Sequence, residues 1–102
     1  MEFSCCSADS KECQNVEKTY AFLRALADPN RLKIICVLRE DSHCVCELVV
    51  AIGISDKLVS HHLKQLKNIE LVNEKREGNF IRYSLNKKAL EKYKQQFNHI
   101  IN

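Results

Sequence analysis

The 102-residue sequence is short of the residues that break helices and form tight turns, with two glycines and one proline. So few turn residues argue against a β-sandwich or β-barrel and favour helices. No apolar run approaches the roughly 18 residues that a membrane span needs. The polar start also lacks the basic segment and apolar stretch of a signal peptide. These absences predict one small cytoplasmic domain that makes no contact with a membrane.

Enzyme signatures are absent as well. The sequence has no Cys-x-x-Cys redox motif, no phosphate-binding loop and no credible nucleophile triad, so we expect a binding protein and not an enzyme. The charge distribution indicates the partner. Residues 1–54 carry 6 basic against 8 acidic residues, whereas residues 55–102 carry 10 against 5. An anionic partner is therefore expected on the second half.

Cysteine, by contrast, is abundant, with six residues. A disulfide scaffold needs an oxidising compartment, to which nothing directs this chain, so metal binding, redox chemistry and core packing are the alternatives. Residues 1–14 show no helical or strand period, and we interpret them as a mobile arm before a single domain over residues 15–102. The arm holds three of the cysteines: Cys5, Cys6 and Cys13.

Hydrophobic periodicity and capping residues predict four successive helices. Their expected N-caps are Asn15, Asp28 (with Pro29 following), Ser42 and Ser55. The second helix is expected to end near Arg39, the third at Gly53 and the fourth near Asn68. The predicted inward residues are, helix by helix, Val16, Tyr20, Leu23 and Ala27; Leu32, Ile35, Cys36 and Leu38; Val45, Leu48, Val49 and Ile52; and Val59, His62, Leu63 and Leu66. Cys36 is thus interpreted as a core residue and His62 as a structural one.

The period changes to two after Leu71, which predicts a β-hairpin with strands over Leu71–Arg76 and Phe80–Leu85. A last helix from about Lys87 carries one apolar stripe, made of Leu90, Tyr93, Phe97 and Ile100. The predicted fold is mainly α with a β-hairpin wing, in the order α-α-α-α-β-β-α.

The third and fourth helices, joined by a tight turn at Gly53, form a helix-turn-helix, and the basic hairpin after it makes the motif winged. Such a motif binds double-stranded DNA by placing its second helix in the major groove. A solvated helix face is the simpler explanation for polar residues alone, but the order of the elements favours DNA. The predicted DNA contacts are Ser55, Lys57, Ser60, His61, Lys64 and Asn68 on the helix and its cap, and Arg76 and Arg82 on the wing.

Four segments of the sequence carry a family resemblance. They are Ala27-Asp28-Pro29-Asn30-Arg31-Leu32, Cys44-Val45-Cys46-Glu47-Leu48, Val59-Ser60-His61-His62-Leu63-Lys64, and Lys75-Arg76-Glu77-Gly78-Asn79 with Tyr83-Ser84-Leu85. In this order, over roughly residues 16–100, they resemble the ArsR/SmtB family of metal-responsive bacterial repressors. The resemblance implies a homodimer formed through the first and last helices. It also implies that operator DNA is bound without metal and released with it.

Cys44 and Cys46 lie at the start of the predicted third helix and are predicted metal ligands. Residues two apart on an ideal helix point about 200° apart, so the first turn must loosen before both can bind one ion. They flank the predicted buried face and are not expected in the core. The helix N-terminus is expected to lower the thiol pKa, which favours the thiolate that a metal needs. His43 is adjacent and could join a borderline metal.

The resemblance to cadmium- and lead-sensing members implies that Cys13 and one of Cys5 and Cys6 complete the site. An all-sulfur site favours Cd(II), Pb(II), Zn(II), Cu(I) or As(III). Two alternatives stay open: a repressor of arsenic resistance genes that responds to As(III) or Sb(III), and a thiol redox-sensing repressor. The family's zinc site on the last helix is expected to be absent, because Lys87 and Lys88 occupy its early positions and only His99 lies near its late ones.

Overall fold

The computed structural model describes residues 11–102, with side chains from Cys13 onward. Its elements are α1 (Lys11–Leu26), α2 (Pro29–Glu40), β1 (His43–Cys44), α3 (Val45–Ile52), α4 (Asp56–Asn68), β2 (Val72–Glu77), β3 (Phe80–Leu85) and α5 (Lys87–Ile101). The predicted winged helix-turn-helix is confirmed. None of the described helices is both long and apolar enough to cross a membrane.

The predicted capping residues explain where three of the helices begin or end. The Asp28 carboxylate accepts hydrogen bonds from the backbone N–H groups of Asn30 (2.9 Å) and Arg31 (3.2 Å) at the start of α2. The Ser55 hydroxyl accepts one from the N–H of Leu58 (3.2 Å) at the start of α4. Gly53 ends α3 in the left-handed region at φ +80°, where a side chain is disfavoured.

The core lies between the helices and the inner end of the hairpin. Its fully buried side chains come from α2, α3, α4 and the residue before β2, and the largest are Ile34, Leu48, Leu63, Leu66 and Leu71. Tyr93 of α5 closes one side, because its ring stacks on Phe22 with centroids 4.6 Å apart and its hydroxyl donates to the carbonyl of Ile69 (2.9 Å). This core fixes the orientation of α4 and of the wing.

The sheet has three strands in the order β1-β3-β2, all antiparallel. The wing hairpin turns over two residues, with Glu77 paired with Phe80 and Gly78 at φ +59°. Strand β1 was not predicted, because two residues are too few to show a period. It pairs His43 with Tyr83 and Cys44 with Arg82. The predicted start of the third helix at Ser42 is therefore wrong, and Cys44 is its N-cap.

The start of α1 and the buried face of α2 also differ from the predictions. Helix α1 begins at Lys11, so residues 11–14 belong to a helix and Cys13 lies in its first turn. The rest of the predicted arm, including Cys5 and Cys6, lies outside the described residues. Leu38 is buried as predicted, but Cys36 and Leu32 are exposed and not in the core, because α2 turns Ile34 inward instead. Six apolar residues in the seven positions from Leu32 to Leu38 gave no unique face.

Helix α1 also faces the core through residues that the stripe did not include. Its buried residues are Thr19, Phe22 and Ala25. Of the predicted inward residues, Tyr20 is 58% exposed and Leu23 is 42% exposed. The predicted apolar stripe of α1 therefore lies on the outer surface of the domain.

Candidate functional site

Helix α4 carries the predicted two faces. Val59, His62, Leu63 and Leu66 are buried, which confirms the predicted inner face. The five residues predicted to face DNA from the helix are all exposed: Lys57, Ser60, His61, Lys64 and Asn68. Ser55 and Arg76 are exposed as well, although the hydroxyl of Ser55 is already engaged as the N-cap. The helix thus presents basic and hydrogen-bonding side chains on one accessible surface.

A buried polar contact holds α4 against the start of α2. The Nε of Arg31 donates to Nδ1 of His62 at 3.1 Å, and Nη1 donates to the carbonyl of Ala25 at 3.4 Å. Burial of the ring lowers the pKa of His62, against the opposing effect of the Asp28 carboxylate. The neutral imidazole can accept from Arg31, so His62 positions the helix, as the sequence predicted.

Arg82 lies at the junction between the wing and α3. Its Nη2 donates to the carbonyl of Ser42 (2.8 Å), its Nε donates to the Ser42 hydroxyl (3.2 Å), and Nη2 lies 3.7 Å from a carboxylate oxygen of Glu47. Sequence reasoning assigned Arg82 to a DNA phosphate and missed these contacts. The missing signal was β1, since only the pairing of Cys44 with Arg82 brings the guanidinium to this place.

The structure brings Cys44 and Cys46 together. Their sulfur atoms lie 2.7 Å apart, with Cys44 buried and Cys46 exposed. The expectation that the two thiols diverge is wrong because Cys44 is not in the helix: as the N-cap it has extended backbone (φ −89°, ψ 169°), which turns its side chain toward Cys46. No loosening of the first turn is needed. The expectation that neither thiol is buried is also wrong for Cys44.

The pKa of Cys46 departs from the prediction too. The hydrogen bond with the Cys44 thiol is the main factor that raises the pKa of Cys46, with burial adding to it. A lowered thiol pKa at the helix start was expected. The negative charge here is instead carried by Glu47, whose pKa is lowered by a hydrogen bond from the backbone N–H of Cys44 (3.0 Å) and by the nearby Arg82.

The thiol pair opens into a cleft of about 440 Å³ between three elements. One wall is the start of α3, and the facing walls are the first turns of α4, through Asp56 and Ser60, and the wing, through Phe80 and Ile81. We call this the thiol cleft. The two thiols therefore share a cleft with Ser60, one of the residues predicted to contact DNA.

Among the residues that the structure describes, no other candidate ligand forms a metal-binding group with the pair. The His43 Nδ1 is 2.9 Å from the carbonyl of Asp41. Lys87, Lys88 and His99 lie at opposite ends of α5, all exposed. Within residues 11–102, no three His, Cys, Asp or Glu side chains form a group able to hold a metal. Two neighbouring thiols are fewer donors than the three or four of a zinc site, so the described residues alone do not complete a metal site.

Helices α1 and α5 form a second, apolar surface. A groove of about 470 Å³ runs between them, which we call the apolar groove. Its lining includes the exposed half of the α1 stripe and the end of the α5 stripe: Val16, Tyr20, Leu23, Phe97 and Ile100. Parts of the two predicted stripes thus meet at the surface, whereas Leu90 and Tyr93 of the α5 stripe pack against the core of the same chain.

Comparisons with known proteins agree with this arrangement. A family model described as bacterial regulatory protein, arsR family, matches residues 28–74, from the cap of α2 to the wing. The chain is 38% identical over 80 residues to the arsenical resistance operon repressor of Staphylococcus xylosus, which covers 78% of this chain and 76% of that protein. It is 38% identical over 63 residues to the cadmium resistance transcriptional regulatory protein CadC of Listeria innocua, covering 61% of this chain and 53% of the relative.

A solved structure shows the same fold over nearly the whole chain. The crystal structure of NolR from Sinorhizobium fredii superposes with a TM-score of 0.75 at 27% identity, over 93% of this chain and 95% of that one. The chain spans about half the length of the cadmium regulator and of other curated relatives that it matches.

Proposed function

The chain belongs to the arsR family of bacterial regulatory proteins, and on that premise we propose that it is a DNA-binding repressor that a thiophilic metal ion releases from its operator. One observation carries the proposal. The Cys44 and Cys46 sulfur atoms, 2.7 Å apart, line a cleft whose other walls are α4 and the wing. A ligand at the thiols thus lies against both elements that a winged helix-turn-helix uses on DNA.

The DNA-binding part of the proposal is supported by α4 and by the charge of the second half. Lys57, Lys64 and Arg76 supply exposed cations for phosphates, and Ser60, His61 and Asn68 supply groups that can reach base edges. The apolar groove supports a homodimer through α1 and α5. A two-fold dimer places two copies of α4 about one DNA turn apart, which suits a palindromic operator.

The metal-binding part is supported by the donor chemistry of the pair. Cys44 and Cys46 are neighbouring thiols, and they would hold a soft cation between them as thiolates. Cys44 and Cys46 would each lose the thiol proton to hold such an ion as thiolates, so binding would release protons. Cys13 and one of Cys5 and Cys6 are the proposed further donors, from the same or the partner chain.

Contacts around Glu47 give the thiol pair a route to the wing. Its carboxylate accepts from the backbone N–H of Cys44 and lies 3.7 Å from Arg82 on β3. Separation of the sulfur atoms moves the Cys44 backbone, and with it β1, Glu47 and the Arg82 contact. We propose that this displacement shifts the wing relative to α4 and lowers the affinity for DNA.

The same set of sulfur donors suits several inducers. Sites of three or four thiolates suit Cd(II), Pb(II) and Zn(II), and a site of three thiolates suits As(III). A second proposed function is therefore repression of arsenic resistance genes, with As(III) as the inducer. The 2.7 Å approach of the sulfur atoms also favours a third, redox sensing, because oxidation of the pair would change the same cleft. Residues two apart make a strained disulfide, which ranks this third proposal last.

The test uses reduced protein on a labelled duplex from upstream of its own gene. Cd(II), Pb(II), Zn(II) and As(III) are added separately without oxygen, and anisotropy reports release. We expect release for the native chain and for Cys36→Ser, the matched control, since Cys36 is exposed on another helix. Cys44→Ser and Cys46→Ser should bind DNA normally and resist release. Lys57→Ala should weaken DNA binding while leaving Cd(II) binding to the free protein intact.

The outcomes separate the three functions. Release by As(III) alone identifies the arsenic repressor, and release only by a mild oxidant identifies the redox sensor. Normal metal response in both cysteine variants would show that the metal binds elsewhere. Failure of the native chain to bind any DNA would reject the repressor itself.

A further inference from the structure

A second cleft, of about 520 Å³, lies between α1 and α4, on the opposite flank of α4 from the thiol cleft. We call it the basic cleft. Its polar lining comes from three helices, and among the residues that line it none is acidic: Arg24, Arg31, His61, Gln65 and Asn68 contribute the polar groups, and Tyr20 and Ala21 part of the rest. From this geometry we infer that the basic cleft binds a phosphate group.

The guanidinium groups supply the first reason. Arg31 has five N–H donors, of which two are used on His62 and on the carbonyl of Ala25, so three are left for a ligand. Those two contacts also hold the guanidinium in place before any ligand binds, so less side-chain entropy is lost on binding. A fixed guanidinium with open donors is the group that proteins use to bind phosphate oxygens.

Charge balance supplies the second reason. Among the described side chains, no carboxylate lies within 4 Å of the Arg24 or Arg31 guanidinium, whereas Lys67, Arg82 and Lys94 each have one. Asp28 interacts with Arg31 without forming an ion pair, and it accepts hydrogen bonds from the backbone of α2. Two cations that face one cleft repel each other, and an anion between them removes that cost. His61, Gln65 and Asn68 add donors for the remaining oxygens of a tetrahedral anion.

The position of the cleft identifies one source of the phosphate. His61 and Asn68 belong both to the outward face of α4 and to the wall of the basic cleft. If α4 enters a major groove, as the proposed function states, the cleft faces a backbone phosphate at the edge of that groove. A free phosphate-bearing molecule has the same chemistry and is the other source. The DNA source rests on the proposed function; phosphate binding itself does not.

The first experiment measures DNA affinity against salt for the native chain, Arg24→Ala and Arg39→Ala. Arg24 is exposed, so its loss leaves the fold intact, and Arg39 is a matched exposed arginine away from the cleft. Loss of one phosphate contact per protomer removes two contacts from the proposed dimer. It should weaken binding about fivefold at 0.15 M salt and reduce the slope of log K against log salt by about 2. Cognate and random duplexes should lose affinity equally, and Arg39→Ala should leave both values unchanged.

The second experiment adds inorganic phosphate to the DNA-free protein at constant ionic strength and follows the imidazole signals of His61 by NMR. A saturable shift that Arg24→Ala abolishes and Arg39→Ala keeps would establish a site for free phosphate. It would do so even if the native chain bound no DNA and the repressor proposal failed. An unchanged salt slope in Arg24→Ala together with no saturable shift would overturn the inference.

Discussion

His62 shows how a single residue connects the stability of this fold to its proposed DNA-binding helix. It lies on the buried face of α4 and accepts the Nε hydrogen bond of Arg31. Protonation would place two positive charges on that contact inside the protein. Burial accordingly lowers the pKa of His62 below its ordinary value of 6.5. Arg31 lines the basic cleft from the other side, so the same pair touches both the core and a proposed ligand site.

This lowered pKa predicts the pH dependence of folding. The unfolded chain binds a proton at His62 that the folded chain does not, so stability rises with pH in this range. The contribution is complete above about pH 6.5 and is lost as the pH falls from there toward the lower folded value, at no more than about 1.4 kcal/mol per pH unit. His62→Asn keeps an acceptor for Arg31 without a titrating group.

Urea unfolding at pH 7.5 and pH 5.5 checks this prediction. The loss of unfolding free energy on acidification should be smaller in His62→Asn than in the native chain. Equal losses in the two proteins would assign the acid sensitivity to other groups. Asp28 does not titrate between these two pH values, because hydrogen bonds from Arg31 and Asn30 lower the pKa of its carboxyl despite its partial burial.

At the same scale, the sequence predicted residues well where periodicity was unambiguous. The inner face of α4 is correct in all four positions because polar residues separate its apolar ones. Cys36 is wrong because almost every neighbour is apolar, so that tertiary packing alone selects Ile34 and Leu38. The geometry of the thiol pair was out of reach, since it depends on the extended backbone of Cys44, and that depends on β3, some 40 residues later.

At the scale of elements, β1 makes the wing part of the thiol site. The hairpin predicted as a basic wing is in fact joined to the start of α3, because β3 pairs with β1, which ends at the residue before α3. Secondary-structure patterns gave each helix and the hairpin but could not show this connection, because a two-residue strand has no pattern of its own. The Arg82 side chain reinforces this connection through its contacts with Ser42 and Glu47.

These contacts predict that Arg82→Ala uncouples metal binding from DNA binding. Affinity of the DNA-free protein for Cd(II) should change less than about twofold, because no sulfur donor is removed. The ratio of DNA affinities without and with Cd(II) should fall about tenfold, within the range of about 5- to 150-fold typical of linked sites. Titrations with Cd(II) and with DNA measure the affinity for each ligand in the absence and in the presence of the other. Arg76→Ala, on the neighbouring strand, is the control.

A direct DNA contact by Arg82, as the sequence suggested, gives a different pattern. Arg82→Ala would then weaken DNA binding of the metal-free protein and reduce its salt slope by about 2, one contact from each protomer. The ratio with and without Cd(II) would stay as in the native chain. The two roles of Arg82 are therefore distinguished in one set of measurements.

At the scale of the whole molecule, the apolar groove predicts the assembly. Phe97 and Ile100 of α5 remain 36% and 43% exposed beside Tyr20 and Leu23 of α1. Phe97→Glu places a charge in this surface and should convert a dimer at micromolar concentration to a monomer. DNA affinity should fall more than about tenfold, since a monomer contacts one half-site.

Val50→Glu is the matched control, because Val50 is 84% exposed on α3 and lies outside the groove. Sedimentation velocity measures the molecular mass of each variant. Dimerisation of Phe97→Glu at native strength would place the interface elsewhere. The sequence predicted the two stripes but could not show that they meet on the surface, because periodicity identifies an apolar face and not its partner.

Tyr20 lines both the apolar groove and the basic cleft, and this double position makes it an optical reporter. The chain has no tryptophan and three tyrosines, so its near-ultraviolet emission comes from tyrosine alone. Tyr83 and Tyr93 are half-buried in the wing and in α5, whereas Tyr20 is 58% exposed. Phenylalanine at the other two positions would leave one fluorophore. Its quenching and anisotropy would then report subunit exchange and ligand entry in the unlabelled protein.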